Sequence, residues 1–90
     1  MTVRLYGAYS GFAGGARETN VTGQTVGAAL DALVVTYPSL RERIRDERGR
    51  LREHLSVYLN KDDVRYLEGE ATPVSEGDVV HLIPAVSGGR

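Results

Sequence analysis

The sequence predicts an α+β fold in which a mixed sheet of four to five strands is covered by one main helix. Three observations carry that prediction. Apolar and polar residues alternate at Thr2–Tyr6 and again at His54–Leu59, the period of half-buried strands. One helix-period stripe runs through Val26, Ala29, Leu30, Leu33, Val34 and Tyr37. The chain has 90 residues, a length at which roughly 60–65% of the unfolded surface can be buried, enough for one helix layer on one sheet and not for two domains.

In order along the chain, Val3 and Leu5 fall on one face of the first strand and Arg4 and Tyr6 on the other. Gly7–Gly15 is too glycine-rich for a helix or a long strand and reads as a turn or wide hairpin loop. It matches neither GxxxxGK[ST] nor GxGxxG, so it does not read as a phosphate cradle. Arg17–Val21 then returns as a short antiparallel strand. Thr25 is placed to cap the main helix through its hydroxyl, Gly27 weakens that helix slightly, and Pro38 stops it by disfavouring α geometry at Tyr37.

Ser39–Glu53 interleaves six arginines with four carboxylates and has no aromatic residue that could stack on a base, so it reads as a solvated short helix and loop anchored by Leu40, Ile44 and Leu51. In the following strand Leu55, Val57 and Leu59 point inward while Ser56 and Tyr58 point outward. Asn60–Asp63 is a polar turn and Val64–Leu67 a brief fourth strand. Thr72–Gly77 is an irregular connection with Gly77 suited to a positive φ. Asp78–Ile83 is the most continuously apolar strand, which predicts burial on both faces near the centre of the sheet. A hairpin, a right-handed helical crossover and a last strand parallel to the first make a β-grasp over residues 1–83. Residues 84–90 then form a tail that runs on from the central strand.

Composition excludes several classes of function. A net charge of −1 offers no bulk attraction to nucleic acid or membrane, and neither is expected as a partner. The absence of cysteine removes disulfides, thiolate metal sites and thiol nucleophiles. The first residues lack the apolar core of a signal peptide and no run is long enough to span a bilayer, so a cytoplasmic protein is expected. His54 and His81 have no companion ligands in sequence, and no metal site is expected. Serines show no nucleophile elbow, and the neighbouring Asp62 and Asp63 suit an Asx turn better than paired acid/base work. The chain is not read as an enzyme, and no catalytic residue is assigned.

What remains is the tail, Pro84-Ala85-Val86-Ser87-Gly88-Gly89-Arg90. A Gly-Gly pair lacks Cβ atoms, so its backbone can enter a channel that would reject side chains. The whole chain resembles the ubiquitin-like sulfur carriers: the small subunit of molybdopterin synthase, the thiamine sulfur carrier and the carrier of actinobacterial cysteine biosynthesis. The resemblance rests on Val3-Arg4-Leu5-Tyr6, on Val57-Tyr58-Leu59-Asn60, on the turn Glu76-Gly77-Asp78-Val79-Val80, and on Pro84-Ala85-Val86-Ser87-Gly88-Gly89. The last segment looks most like the cysteine-biosynthesis branch.

The resemblance implies that Gly89 is adenylated by a partner enzyme using ATP and converted to a thiocarboxylate. That group would donate sulfur to a biosynthetic enzyme making cysteine, a cofactor or a specialised metabolite, with no cofactor bound to the carrier itself. Residues 84–89 would thread into the partner, and Tyr58, Leu59, His81 and Ile83 are the candidate partner surface. Arg90 departs from the Gly-Gly ending of active family members, and the expectation is that it is removed, a step suited to a zinc metalloprotease of the JAMM type. Two alternatives stay open: a ubiquitin-like modifier conjugated through Gly89, and a non-covalent β-grasp interaction module that would tolerate loss of Gly88-Gly89.

Overall fold

A computed structural model describes residues 1–84, so the roles assigned to residues 85–90 lie outside the described residues. The sheet is built from β1 (Thr2–Leu5), β2 (Glu18–Asn20), β3 (Leu55–Leu59), β4 (Asp62–Asp63) and β5 (Val79–Pro84). Three α-helices accompany it, α1 (Ala8–Phe12), α2 (Val26–Thr36) and α3 (Arg41–Ile44), with 3₁₀ turns at Pro38–Leu40, Val64–Tyr66 and Gly69–Ala71. The strand order is β2-β1-β5-β3-β4. β5 lies parallel to β1, with Val3 opposite Val80 and Leu5 opposite Leu82, and antiparallel to β3, with Val57 opposite Leu82. The mixed sheet with its last strand at the centre is the β-grasp that the order of elements predicts.

The main helix forms where the apolar stripe places it. The amide of Ala28 donates to the Thr25 hydroxyl at 3.1 Å, satisfying one orphan donor of the first turn. The helix ends at Thr36, Tyr37 leaves helical geometry at φ −127° and ψ 80°, and Pro38 opens the next turn. Val26, Ala29, Leu30 and Leu33 are fully buried against Val3, Val80 and Leu82 of the sheet in one core cluster. Each such branched side chain contributes about 1.5–3 kcal/mol by leaving water. Leu40 and Ile44 join the core and Leu51 packs against it, as anchors of the charged excursion.

Four local expectations are corrected. Within Gly7–Gly15 the chain forms the helix α1, because Tyr9 and Ala13 are buried in the core and supply an apolar reward that local propensity does not show. The fourth strand is Asp62–Asp63, and Val64–Tyr66 is a 3₁₀ turn. There the Asp63 carboxylate accepts from the Arg65 amide at 2.9 Å, a local bond that competes with extended pairing. Gly77 does not take a positive φ; the left-handed positions nearest before it are Gly69, at 58°, and Asn60, at 57° between β3 and β4. Finally, β5 is not buried on both faces. Val80 and Leu82 are fully covered, whereas Val79, His81 and Ile83 are half-buried, because α2, the one long helix among the described residues, lies on the opposite side of the sheet.

Candidate functional site

The described chain reaches its last residue, Pro84, at the end of the central strand, where Leu55 of β3 is its register partner. Gly7, just after β1, is built for this junction. Its φ is +58°, in the region that favours glycine, and a Cβ there would lie 2.8 Å from Cγ of Pro84. The root of the tail is therefore clamped between β1, β3 and the start of α1.

Two surfaces flank that root. On the outer sheet face, Arg4, Tyr6, Tyr58, His81 and Ile83 come together through the registers Arg4 to His81 and Tyr58 to His81. The Tyr6 hydroxyl and Nδ1 of His81 are 2.8 Å apart, and the two rings are tilted with centroids 5.7 Å apart. The Arg4 guanidinium sits 5.9 Å from the Tyr6 ring centroid and 3.9 Å from the Glu18 carboxylate. Burial, and then the Arg4 charge, hold the His81 imidazole below its ordinary pKa. In its neutral form with the proton on Nε2, Nδ1 accepts from Tyr6 and the Nε2 donor is left for other contacts.

The candidate surface named from sequence is thus only partly on one face. Tyr58, His81 and Ile83 share the outer side and are half-buried. Leu59 is corrected: it is 8% exposed, its register partner is the core residue Val80, and it points into the core on the opposite side. Strand alternation already placed it there, so grouping it with Tyr58 ran against its own periodicity. Tyr6 and Arg4 are what sequence reasoning missed. Their signal was the polar face of the first strand, but only the parallel pairing of β1 with β5 brings them to His81.

On the helix side, a groove of about 940 Å³ runs beside Pro84, between Tyr9 and Phe12 of α1 and the segment Arg41–His54. The Arg43 guanidinium lies 4.2 Å from the Phe12 ring centroid. The far wall is held by Arg45, which bonds Glu70 at 2.6 Å, Asp31 at 3.1 Å and the Gly49 carbonyl at 3.0 Å. The bond to Glu70 is the main reason its pKa is raised further. Residues 46–50 form a tight loop in which the Asp46 carboxylate accepts from the amides of Arg48 and Arg50 at 2.8 and 2.9 Å. Those two bonds hold its carboxyl below the usual range.

Among the described residues no three His, Asp or Glu side chains are grouped to hold a metal ion. His54 lies on the groove and His81 on the outer face, so the two histidines do not meet. Asp63 is bound to Arg65, with Nη2 to Oδ2 at 2.7 Å, which keeps its carboxyl below the usual range despite burial. It is a turn-forming residue, not half of an acid/base pair. No helix of the described residues is long and apolar enough to cross a membrane.

A β-grasp domain that delivers the chain to its surface from the end of the central strand, just before a Gly-Gly sequence, defines a ubiquitin-like carrier. The chain belongs to the ThiS family of such sulfur carriers, whose family model matches residues 3–89. It is 37% identical over 78 residues to the sulfur carrier protein CysO of Mycobacterium tuberculosis, covering 84% of each chain. It is 45% identical over 65 residues to small archaeal modifier protein 1 of Haloferax volcanii, covering 72% of this chain and 70% of that one. Among solved structures, a chain of the Amycolatopsis orientalis BexX/CysO complex superposes with a TM-score of 0.87 at 30% identity, covering 98% of both chains. Like the sulfur carrier protein CysO that it resembles, the chain is a carrier protein and not itself an enzyme.

Proposed function

We propose that Gly89 is the sulfur-bearing residue of this carrier. The observation that supports the reading most directly is that the family match runs through Gly89 while β5, the best-anchored strand, ends at the surface only a few residues before it. A carboxylate is a poor electrophile. A partner enzyme would transfer AMP from ATP to the Gly89 carboxylate, releasing pyrophosphate. A sulfide equivalent then attacks the acyl carbon, AMP leaves with the electron pair of the broken C–O bond, and a terminal thiocarboxylate results. The lack of side chains on Gly88-Gly89 lets the reacting carbon reach the α-phosphate in a narrow site.

Arg90 follows Gly89 in the sequence. Its side chain would block a channel shaped for glycine, so hydrolysis of the Gly89–Arg90 bond comes first, in a reaction suited to a JAMM-type zinc metalloprotease. The acceptor of the sulfur is a second partner enzyme; the similarity to a chain solved in a BexX/CysO complex supports a carrier that docks on other proteins. Conjugation through Gly89 to lysines is a second reading, favoured by the similarity to a small archaeal modifier protein. Both uses begin with the same adenylate.

Intact-mass measurement tests the sequence of events. After incubation with cell extract and ATP, the chain is expected to lose arginine and then gain one oxygen-to-sulfur replacement. Thiocarboxylation of the chain with Arg90 still attached would refute the processing step, and adducts on lysines without any thiocarboxylate would favour the modifier reading.

A further inference from the structure

We propose that Lys61 is a modification site, at which Gly89 of a second, adenylated copy of this chain forms an isopeptide bond and links the copies end to end. The inference rests on the reading of Gly89 as the adenylated residue. It is carried by the scarcity of amines in the chain, by the way Lys61 is presented, and by its place relative to the tail.

An acyl adenylate is consumed by whichever nucleophile reaches it. Lys61 is the only lysine, and the other ten cationic side chains are arginines. A guanidinium stays protonated and its nitrogen lone pairs are delocalised, so it does not compete for an acyl group. There is no cysteine to form a thioester. The amino group of Met1 donates to the Val21 carbonyl at 3.1 Å and is already engaged.

Lys61 is exposed, and among the described residues its Nζ has no ion-pair partner. The turn beneath it is pinned. Asn60 sits in the left-handed region at φ 57°, and its amide donates to the Val79 carbonyl at 2.8 Å. Its side chain donates to the Asp78 carboxylate and accepts from the Val79 amide, each at 3.1 Å. The Asp63 carboxylate, which could have held the lysine, is tied to Arg65 instead. A fixed backbone therefore carries an amine whose nitrogen is unoccupied.

Position decides whose Gly89 it meets. β5 begins beside Asn60 and ends at Pro84, so Lys61 and the root of the tail lie at opposite ends of the central strand. The rise from Val79 to Pro84 is about 17 Å. Residues 85–89 reach at most about 17 Å. Gly89 could meet its own Lys61 only with every tail residue extended and reversed along the whole of β5. A second copy is under no such constraint. Each copy thus carries an acyl end and an amine at opposite poles, a head-to-tail arrangement that propagates as an unbranched chain. In the step itself the uncharged Nζ attacks the Gly89 acyl carbon and forms the C–N bond. The C–O bond to AMP breaks, AMP takes the electron pair, and the nitrogen releases a proton to solvent.

The test uses the chain processed to Gly89, the cognate adenylating enzyme and ATP, without a source of sulfide. Linked products that increase with carrier concentration are expected, each lighter than the sum of its copies by one water per link. Trypsin should release a branched peptide joining Glu53–Arg65 to Tyr66–Gly89, because acylated Lys61 is no longer cut. Lys61→Arg keeps the charge and is expected to lose these products, while carrier-dependent exchange of pyrophosphate into ATP stays at the wild-type rate. Adding Arg52→Lys to Lys61→Arg puts an amine in the groove that Pro84 lines, and the expected product is then a monomer lighter by one water. Undiminished linkage in Lys61→Arg, linkage at Met1 alone, a wild type that loses water as a monomer, or exchange without any linked product would each overturn the proposal. If wild-type carrier supports no exchange, the reading of Gly89 falls first and the Lys61 proposal with it.

Discussion

At His81, burial and the nearby Arg4 both oppose protonation while the Tyr6 hydroxyl bonds Nδ1. The folded-state pKa is therefore below the ordinary 6.5. Above that value both folded and unfolded chains hold a neutral imidazole and the group leaves stability unchanged. As the pH falls through the unfolded value, the unfolded chain takes up a proton that the folded chain resists, so stability declines until the folded pKa is passed. Thermal melts between about pH 7 and 5 should therefore show a steeper loss for wild type than for His81→Gln. Asp46, Asp63 and Asp78 do not confuse that window. Their lowered pKa values give stability that is present above 3.8 and is lost only as pH falls through the still lower folded values. A wild-type slope equal to that of the variant would show that His81 titrates alike in both states.

For α2, a glycine that looked like a weakness turns out to be a requirement of packing. Gly27 is buried, and a Cβ there would stand 2.9 Å from Oε1, 3.1 Å from Cβ and 3.2 Å from the carbonyl oxygen of Glu70. Oε1 cannot swing aside freely, because it holds Arg45 at 2.6 Å. Gly27→Ala would gain about 1 kcal/mol in helix propensity. It would lose about 1–3 kcal/mol to crowding and to displacement of the Glu70–Arg45 bond. The expected result is a net destabilisation of roughly 1 kcal/mol in urea denaturation, and a more stable variant would contradict the packing account. The helix itself was readable because its stripe, its threonine cap and its proline stop all lie within one stretch of sequence. α1 was not, because its glycines argue against a helix and only burial of Tyr9 and Ala13 under distant strands makes one.

At the scale of the molecule, the core and the tail are expected to be separable. Among the described residues the buried cluster runs from Val3 to Leu82. Deleting Gly88-Gly89 is therefore expected to leave the melting temperature within a few degrees while abolishing adenylation, measured on the same preparations; retained adenylation would show that the activated carboxylate is not that of Gly89. The sequence alone determined the β-grasp order, the main helix, the place of β5 beside β1 and the Gly-Gly segment, because each is written in a local period or a local motif. The tertiary structure alone decided that β5 is covered on one side only, that Tyr6 meets His81, and that Phe12, Arg43 and Arg52 share a groove at the root of the tail. Those facts depend on which strands become neighbours, and contacts between residues tens of positions apart leave no periodic trace in the chain that makes them.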